Sequence, residues 1–149
     1  MDDRWDTVHT MTDFWDGPVR GIADFGGTPH LYERQFDQAD DDDRADVYLL
    51  TPVDAETFAL AMEDWVIWRR LETAFHAGRL TFEQFRQTHP ALPEDRPRHE
   101  HVGPLLEARL RTDPGRAVRV RGEFRRRDDP EWSGLGRPSL EVRWTPPRD

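Results

Sequence analysis

A strict alternation of apolar and polar residues near the C-terminal end constrains the fold of this chain most. One face of residues 117–127 carries Val118, Val120, Gly122 and Phe124, and the other carries Arg119, Arg121, Glu123, Arg125 and Arg127. Residues 140–144 alternate in the same way, with Leu140, Val142 and Trp144 on one face. Successive side chains of a strand point to opposite faces of its sheet. The pattern therefore predicts two strands with one face on a core and the other in water.

Residues 52–77 are predicted to form a long helix, with Thr51 as its N-cap, Pro52 at its first position and Gly78 as its stop. Apolar residues lie on two sides of this helix. The first side carries Phe58, Ala61, Met62, Trp65 and Trp68, and the second carries Leu60, Ile67 and Leu71. A surface helix ordinarily has one apolar side. We therefore expect either another part of the chain or a partner molecule to cover the second side.

Local signals predict the remaining elements. Gly26-Gly27 separates two strand-like runs and predicts a hairpin over 19–36, because a tight type I′ turn needs positive φ at both central residues. A buried strand is predicted at 47–50, a short helix at 80–89, and a helix at 99–112 that breaks near Gly103-Pro104. Residues 37–46 are expected to be an acidic surface loop, and residues 128–138 a loop between the last two strands.

The element order is thus β-β-β-α-(α)-α-β-β. Strands grouped in runs with helices between them indicate an α+β fold. We expect a single domain over 1–149, with a mostly antiparallel sheet of about five strands packed on one long helix and one or two shorter ones.

Composition excludes several classes of function. The chain has no cysteine, which excludes disulfides, thiolate catalysis and cysteine-based zinc sites. Its 21 basic residues are all arginine, so a lysine-bearing phosphate loop is impossible. No apolar run approaches the roughly 18 residues that a membrane span needs. These features predict a cytoplasmic protein without a membrane segment.

The arginines of RVRGEFRRR, residues 119–127, allow several interpretations. Five of these nine residues are arginine, although the net charge of the chain is −9. The face with Arg119, Arg121, Arg125 and Arg127 can be a solvated strand face, with nearby glutamates as partners. It can also bind the chain's own acidic segment, or an external acidic or phosphate-bearing partner. Nucleic acid is disfavoured because the sequence pI is about 5.1.

A second candidate site lies near the predicted hairpin. Its candidate residues are Trp15, Asp16, Asp24, His30, Tyr32 and Glu33. A carboxylate beside a tryptophan and a histidine can carry acid–base chemistry or bind a ligand. His99 and His101 can share a metal on a strand, but their spacing diverges at a loop-to-helix junction, and the H-E-x-x-H motif is absent. We therefore expect no metal and no cofactor.

Two segments carry a resemblance to known proteins. FWDGPVRGIADFGGTPHLYE near residues 14–36 and TPVDAETFALAMEDWVIW at 51–68 resemble a group of small uncharacterised bacterial proteins with the pattern W-D-G-P … G-x-P-H … W-x-I-W. The resemblance covers roughly the first 95 residues. It implies a soluble bacterial protein and implies no activity.

The expected function is that of a small soluble non-catalytic binding protein, such as an accessory subunit, an adaptor or an immunity-type partner. The partner would be another protein or a second copy of the chain. This hypothesis predicts that Leu60, Ile67 and Leu71 are exposed in an isolated monomer. The first alternative is a small enzyme or ligand-binding protein with a pocket between hairpin 19–36 and helix 52–77. The second alternative is nucleic-acid binding through the C-terminal arginines.

Overall fold

The described part of the chain consists of seven strands and three helices. A computed structural model describes residues 4–14, 17–35, 46–127 and 139–147. The helices are α1 (Ala55–His76), α2 (Phe82–Thr88) and α3 (Arg96–Arg109). The strands are β1 (Asp6–Thr7), β2 (Asp13–Phe14), β3 (Pro18–Phe25), β4 (Thr28–Arg34), β5 (Asp46–Pro52), β6 (Val118–Arg126) and β7 (Leu140–Thr145). The expected α+β class and antiparallel sheet are confirmed.

All seven strands belong to one antiparallel sheet in the order β1-β7-β6-β5-β4-β3-β2. The β3–β4 hairpin is present, with Gly26 and Gly27 at φ values of 62° and 84°. Both angles lie in the left-handed region that favours glycine. Ile22 is paired with Leu31, so their side chains lie on the same face of the sheet.

The expected count of five strands is wrong because the N-terminal segment contributes two short ones. Strands β1 and β2 have two residues each, too few for an alternation pattern to reveal them. β1 pairs with β7, and the next residue, Val8, bridges Ala23 on β3. The N-terminal segment thereby joins opposite ends of a curled sheet. Asp46, placed in the acidic loop by its sequence, begins β5. The rest of that loop and the loop at 128–138 lie outside the described residues.

An aromatic core fills the inside of the curl. Tyr32 on β4, Tyr48 on β5 and Trp144 on β7 are buried in one cluster. The rings of Tyr32 and Trp144 are 6.3 Å apart although three strand steps separate them, because the curl brings this face onto itself. Each tyrosine hydroxyl donates to a backbone oxygen, Tyr32 to Thr10 at 2.7 Å and Tyr48 to Pro18 at 2.6 Å. Burial raises the pKa of Tyr48 above its ordinary range, so the Tyr48 phenol stays a neutral donor.

The N-terminal segment crosses β3 at Gly21. A Cβ at this position would lie 2.2 Å from the Thr10 carbonyl oxygen and 2.7 Å from the Tyr32 hydroxyl. Thr10 also accepts a hydrogen bond from the Ile22 N–H through its side-chain oxygen, at 2.8 Å. Glycine at 21 therefore allows a backbone approach that any other residue would prevent.

Helix α1 begins three residues later than expected. Its N-cap is Asp54, whose carboxylate accepts from the Thr57 N–H at 2.7 Å. This bond lowers the pKa of Asp54. Thr51 and Pro52 instead extend β5, where they pair with Leu31 and His30. Pairing with β4 thus places Thr51 and Pro52 in a strand, although their sequence is typical of a helix start.

Helix α3 is continuous through Gly103-Pro104, contrary to the expected break. Proline disfavours the helical conformation of the preceding residue because its ring meets that residue's Cβ. Gly103 has no Cβ, so the helix runs on to Arg109.

Of the two expected ways to cover the second apolar side of α1, the structure shows cover by the chain itself, so the exposure that the binding-protein hypothesis predicts is not found at Ile67 or Leu71. Ile67 and Leu71 are 1% and 0% exposed, and Leu60 packs, partly buried, on the cluster that contains Val102 of α3. Helices α2 and α3 both pack against α1. The second side is thus covered within the chain, and Ile67 and Leu71 leave no apolar surface for a partner.

Replacing Gly21 with alanine tests the crossing. We expect Gly21→Ala to lower the free energy of unfolding by about 1–3 kcal/mol, because the added methyl group displaces the Thr10 backbone. Urea denaturation measures the loss. The matched control is Gly115→Ala, whose Cβ meets its nearest atom, Asp113 Oδ1, at 3.4 Å. Equal losses in the two variants would contradict the close approach at Gly21.

Candidate functional site

The structure separates the residues predicted to form a hairpin pocket. His30 and Tyr32 lie on the inner face, where the His30 Nδ1 is 2.7 Å from the Thr28 oxygen and Tyr32 bonds Thr10. Asp24 and Glu33 lie at intervening positions of the same two strands and hence on the other face. The four side chains therefore do not converge on one site. Trp15 and Asp16 lie outside the described residues.

The two carboxylates on the outer face have separate partners. Asp24 Oδ1 is 2.9 Å from Nε2 of His9, whose ring packs on Phe58. Glu33 accepts from the Thr112 hydroxyl at 3.1 Å and lies 3.5 Å from Arg20. These contacts tie the sheet to the N-terminal segment and to the chain after α3.

A cavity does lie between the β3–β4 hairpin and α1, with α3 closing it. Its volume is about 190 Å³. Most of its lining residues are apolar: Gly21, Ile22, Leu31, Ala61, Trp65, Trp68, Pro90, Leu106 and Leu110. The polar lining residues are Thr10, Thr12, Arg20, Asp64, His89 and His99. The cavity thus has the expected place but a different set of side chains.

Helical spacing explains the cavity wall on α1. Ala61, Trp65 and Trp68 recur at intervals of four and three, so they share one face of the helix. The two indoles are large, whereas Ala61 leaves room above Ile22 and Leu31 of the sheet. The cavity therefore lies beside Ala61, whose side chain is much smaller than the two indoles on the same face.

A hydrogen-bonded pair connects two walls of the cavity. Nδ1 of His99, on α3, lies 2.6 Å from Oδ1 of Asp64, on α1. The side chains are 26% and 25% exposed, so both are largely shielded from water. A carboxylate only accepts hydrogen bonds, so Nδ1 carries the hydrogen in this pair. In the neutral imidazole, Nε2 is then an acceptor.

Other polar side chains of the lining are engaged with the backbone. Arg20 donates to the Leu110 oxygen at 2.6 Å. The Thr12 hydroxyl donates to the Arg20 oxygen at 3.1 Å, and the Thr10 hydroxyl oxygen accepts from Ile22. These bonds engage the polar atoms that they join with other parts of the chain.

Ion pairs hold α3 against α1. Arg98 binds both carboxylate oxygens of Glu63, and Arg70 binds both oxygens of Asp95 at 2.8 and 2.9 Å. The hydrogen bond that Arg98 donates lowers the pKa of Glu63, and the hydrogen bond that Arg70 donates to Asp95 raises the pKa of Arg70. Two-point contacts fix the angle of α3 and thereby the position of His99.

The outer face of β6 and β7 carries the predicted arginines. Arg125 binds Glu141 at 2.5 Å and stacks on Trp5, with its guanidinium carbon 3.8 Å from the ring centre. Arg143 binds Glu123 at 2.6 Å. Cross-strand pairing thus neutralises part of this face. We call the face as a whole the arginine surface, and its arginines are Arg119, Arg121, Arg125, Arg127 and Arg143.

The remaining arginines of the arginine surface differ in exposure. Arg119 and Arg127 are exposed, and Arg121 is half-buried. Arg119 makes no ion pair with another residue of the described ranges. Positive charge therefore remains beside the paired region.

Sequence reasoning missed the pair at the cavity. The sequence offers His99 only as one of two closely spaced histidines, with His101, and no pattern singles out Asp64. Ala61, Trp65 and Trp68 were placed on one side of the helix, which was the available signal for the wall. The pairing of Asp64 with His99 spans 35 positions and leaves no local pattern.

Comparisons of the chain with protein-family models, with curated proteins and with solved structures find no match. Across the residues that the structure describes, no three His, Asp or Glu side chains are grouped to hold a metal ion. In the same ranges, no helix has the length and apolar character needed to cross a membrane.

The pairing of α1 with α3 gives an acid-dependent prediction. A carboxyl whose pKa is lower in the folded state contributes stability above its unfolded pKa, and loses it as the pH falls through the folded value. The ordinary pKa of Glu63 is 4.5. We expect Glu63→Gln to lower the midpoint of thermal unfolding at pH 7, and we expect this difference to vanish near pH 2.

Thermal unfolding followed by circular dichroism from pH 7 to pH 2 measures the effect. Glu107→Gln is the control, since Glu107 is exposed on α3 and has no ion pair within the described ranges. A Glu63→Gln difference that stays constant with pH would contradict a stabilising contact with Arg98.

Proposed function

We propose that this protein binds a small, largely apolar molecule in the cavity between the β3–β4 hairpin and α1. The observation that carries the proposal is an indole-lined cavity of about 190 Å³. An apolar cavity of about 150 Å³ is enough to hold benzene. Drug-sized ligands occupy sites of roughly 300–1,000 Å³, so the cavity suits a molecule of one or two rings.

The composition of the lining supports binding rather than a chance packing gap. Ligand sites combine apolar walls with a few polar groups that orient the ligand. Here Trp65 and Trp68 supply aromatic surface, and the Asp64–His99 pair supplies a polar edge. The burial of Ile67 and Leu71 removes the apolar surface that favoured a protein partner.

Toluene is a direct probe of the cavity. We expect it to bind with a dissociation constant of about 1 mM or tighter, because each of its seven carbon atoms then contributes only about 0.6 kcal/mol. The indole N–H signals of Trp65 and Trp68 should shift during an NMR titration. Ala61→Leu fills the space above the sheet and should abolish these shifts.

Ala59→Leu is the matched control, since it makes the same change on an exposed position of α1. It should leave toluene binding unchanged. Absence of binding to the unsubstituted protein, or equal binding by the Ala61→Leu variant, would overturn the proposal.

The arginine surface favours a second candidate function, binding to an acidic segment of another protein. Arg119 and Arg127 are exposed beside ion pairs that fix Arg125 and Arg143 in place. Guanidinium groups bind carboxylates through two parallel hydrogen bonds. The net charge of −9 opposes any anionic partner over most of the molecule, so binding would be confined to the exposed arginines of this surface.

A polyglutamate peptide tests this second function. We expect it to bind the unsubstituted protein at low salt and to dissociate as salt is added, because exposed charges are screened. Arg119→Glu with Arg127→Glu should weaken binding, as measured by fluorescence anisotropy of a labelled peptide. The control is Arg79→Glu with Arg86→Glu, which reverses two exposed arginines near the end of α1 and on α2. Equal weakening in both double variants, or stronger binding of single-stranded nucleic acid, would contradict this function.

A further inference from the structure

We infer that the Asp64–His99 pair makes the cavity selective for ring compounds that donate a hydrogen bond, such as phenols and aromatic alcohols. This inference rests on the proposed binding of a small apolar ligand. It adds the chemical class of that ligand and names the group that recognises it.

The first step concerns the hydrogen on the imidazole. Asp64 lies 2.6 Å from Nδ1 of His99, and a carboxylate cannot donate. The pair therefore holds the tautomer in which Nδ1 is protonated and, when the ring is neutral, Nε2 has a free lone pair. Asp64 and His99 belong to different helices, so the bond also fixes the orientation of the ring relative to both walls.

The second step concerns what surrounds Nε2. Within the described residues Nε2 has no hydrogen-bond partner. Residue 103, one helical turn later, is glycine, whereas a Cβ there would contact the ring edge, at 3.8 Å from Nε2. No side chain at position 103 thus covers this edge of the ring. His99 lines the cavity, and we take Nε2 as the atom of this ring that a ligand meets.

The third step concerns the other polar groups. Arg20 and Thr12 donate to backbone oxygens, and the Thr10 oxygen accepts from Ile22. Nε2 of His99 adds a hydrogen-bond acceptor to largely apolar surroundings. A ligand hydroxyl satisfies this acceptor, whereas an ether or a methyl group leaves it without a donor.

Three probes of similar size separate the possibilities. Toluene has no polar group, phenol carries a donor, and anisole carries only an acceptor. Titrations at pH 8 keep phenol neutral. We expect phenol to bind at least about tenfold more tightly than anisole, since burying an unpaired polar atom costs about that factor.

Two variants test whether the pair causes the preference. His99→Phe removes the acceptor and keeps a ring, and it should reduce the phenol-to-anisole preference by about tenfold with little change for toluene. Asp64→Asn keeps both shapes but no longer imposes one tautomer. It should reduce the preference and also change the ¹⁵N shifts of the His99 ring, which report which nitrogen carries the hydrogen.

Asp24→Asn is the matched control. Asp24 pairs with another histidine, His9, outside the cavity. The same substitution there should leave the phenol-to-anisole preference unchanged.

The outcomes distinguish the two proposals. If all three probes bind and neither variant alters the preference, the inference is overturned and cavity binding stands. If no probe binds the unsubstituted protein, both are overturned. If His99→Phe no longer binds toluene, the Asp64→Asn variant decides: an unaltered preference, or an unaltered ring ¹⁵N pattern, refutes the role of the pair.

Discussion

The backbone of Thr10 lies directly against Gly21, and this contact holds the curled sheet closed. The Thr10 carbonyl oxygen accepts from the Tyr32 hydroxyl inside the curl, and the Thr10 side chain accepts from the Ile22 N–H. His9 and Thr10 both donate to the Ile22 oxygen, at 2.8 and 3.1 Å. These bonds need the backbones so close that position 21 has no space for a side chain. The crossing joins the N-terminal segment to β3 while β1 pairs with β7, and this keeps the sheet curled.

The same crossing determines where a ligand can lie. On its inner side, the curl is filled by the aromatic cluster around Tyr32, Tyr48 and Trp144. On its outer side, Ile22 and Leu31 face α1 and α3, and Thr10 and Thr12 close one end of the space between them. The ion pairs between α3 and α1 hold the opposite wall. A cavity results because Ala61 is too small to fill the gap that these fixed walls leave.

Local patterns in the sequence predict the elements well but not their contacts. The glycine pair gives the hairpin, the alternating residues give β6 and β7, and periodicity gives α1, because each signal acts over a few residues. The two-residue strands carry no such signal, and Thr51 and Pro52 look like a helix start until β4 pairs with them. The pairing of Asp64 with His99 spans 35 positions and depends on how α3 packs on α1, which no local pattern encodes. The burial of Ile67 also depends on packing between elements. The location of the cavity was therefore predictable, whereas its polar residues were not.

Hydrogen exchange at His9, Thr10 and Ile22 tests whether the N-terminal segment closes the curled sheet at Gly21. The amides of these residues bond across the crossing and are expected to exchange only when the whole domain unfolds, as slowly as the amides in the middle of the β3–β4 hairpin. Rapid exchange of these three amides, while the hairpin amides stay protected, would contradict this closure. It would mean that the N-terminal segment does not close the sheet, and that the cavity lacks the end which Thr10 and Thr12 provide.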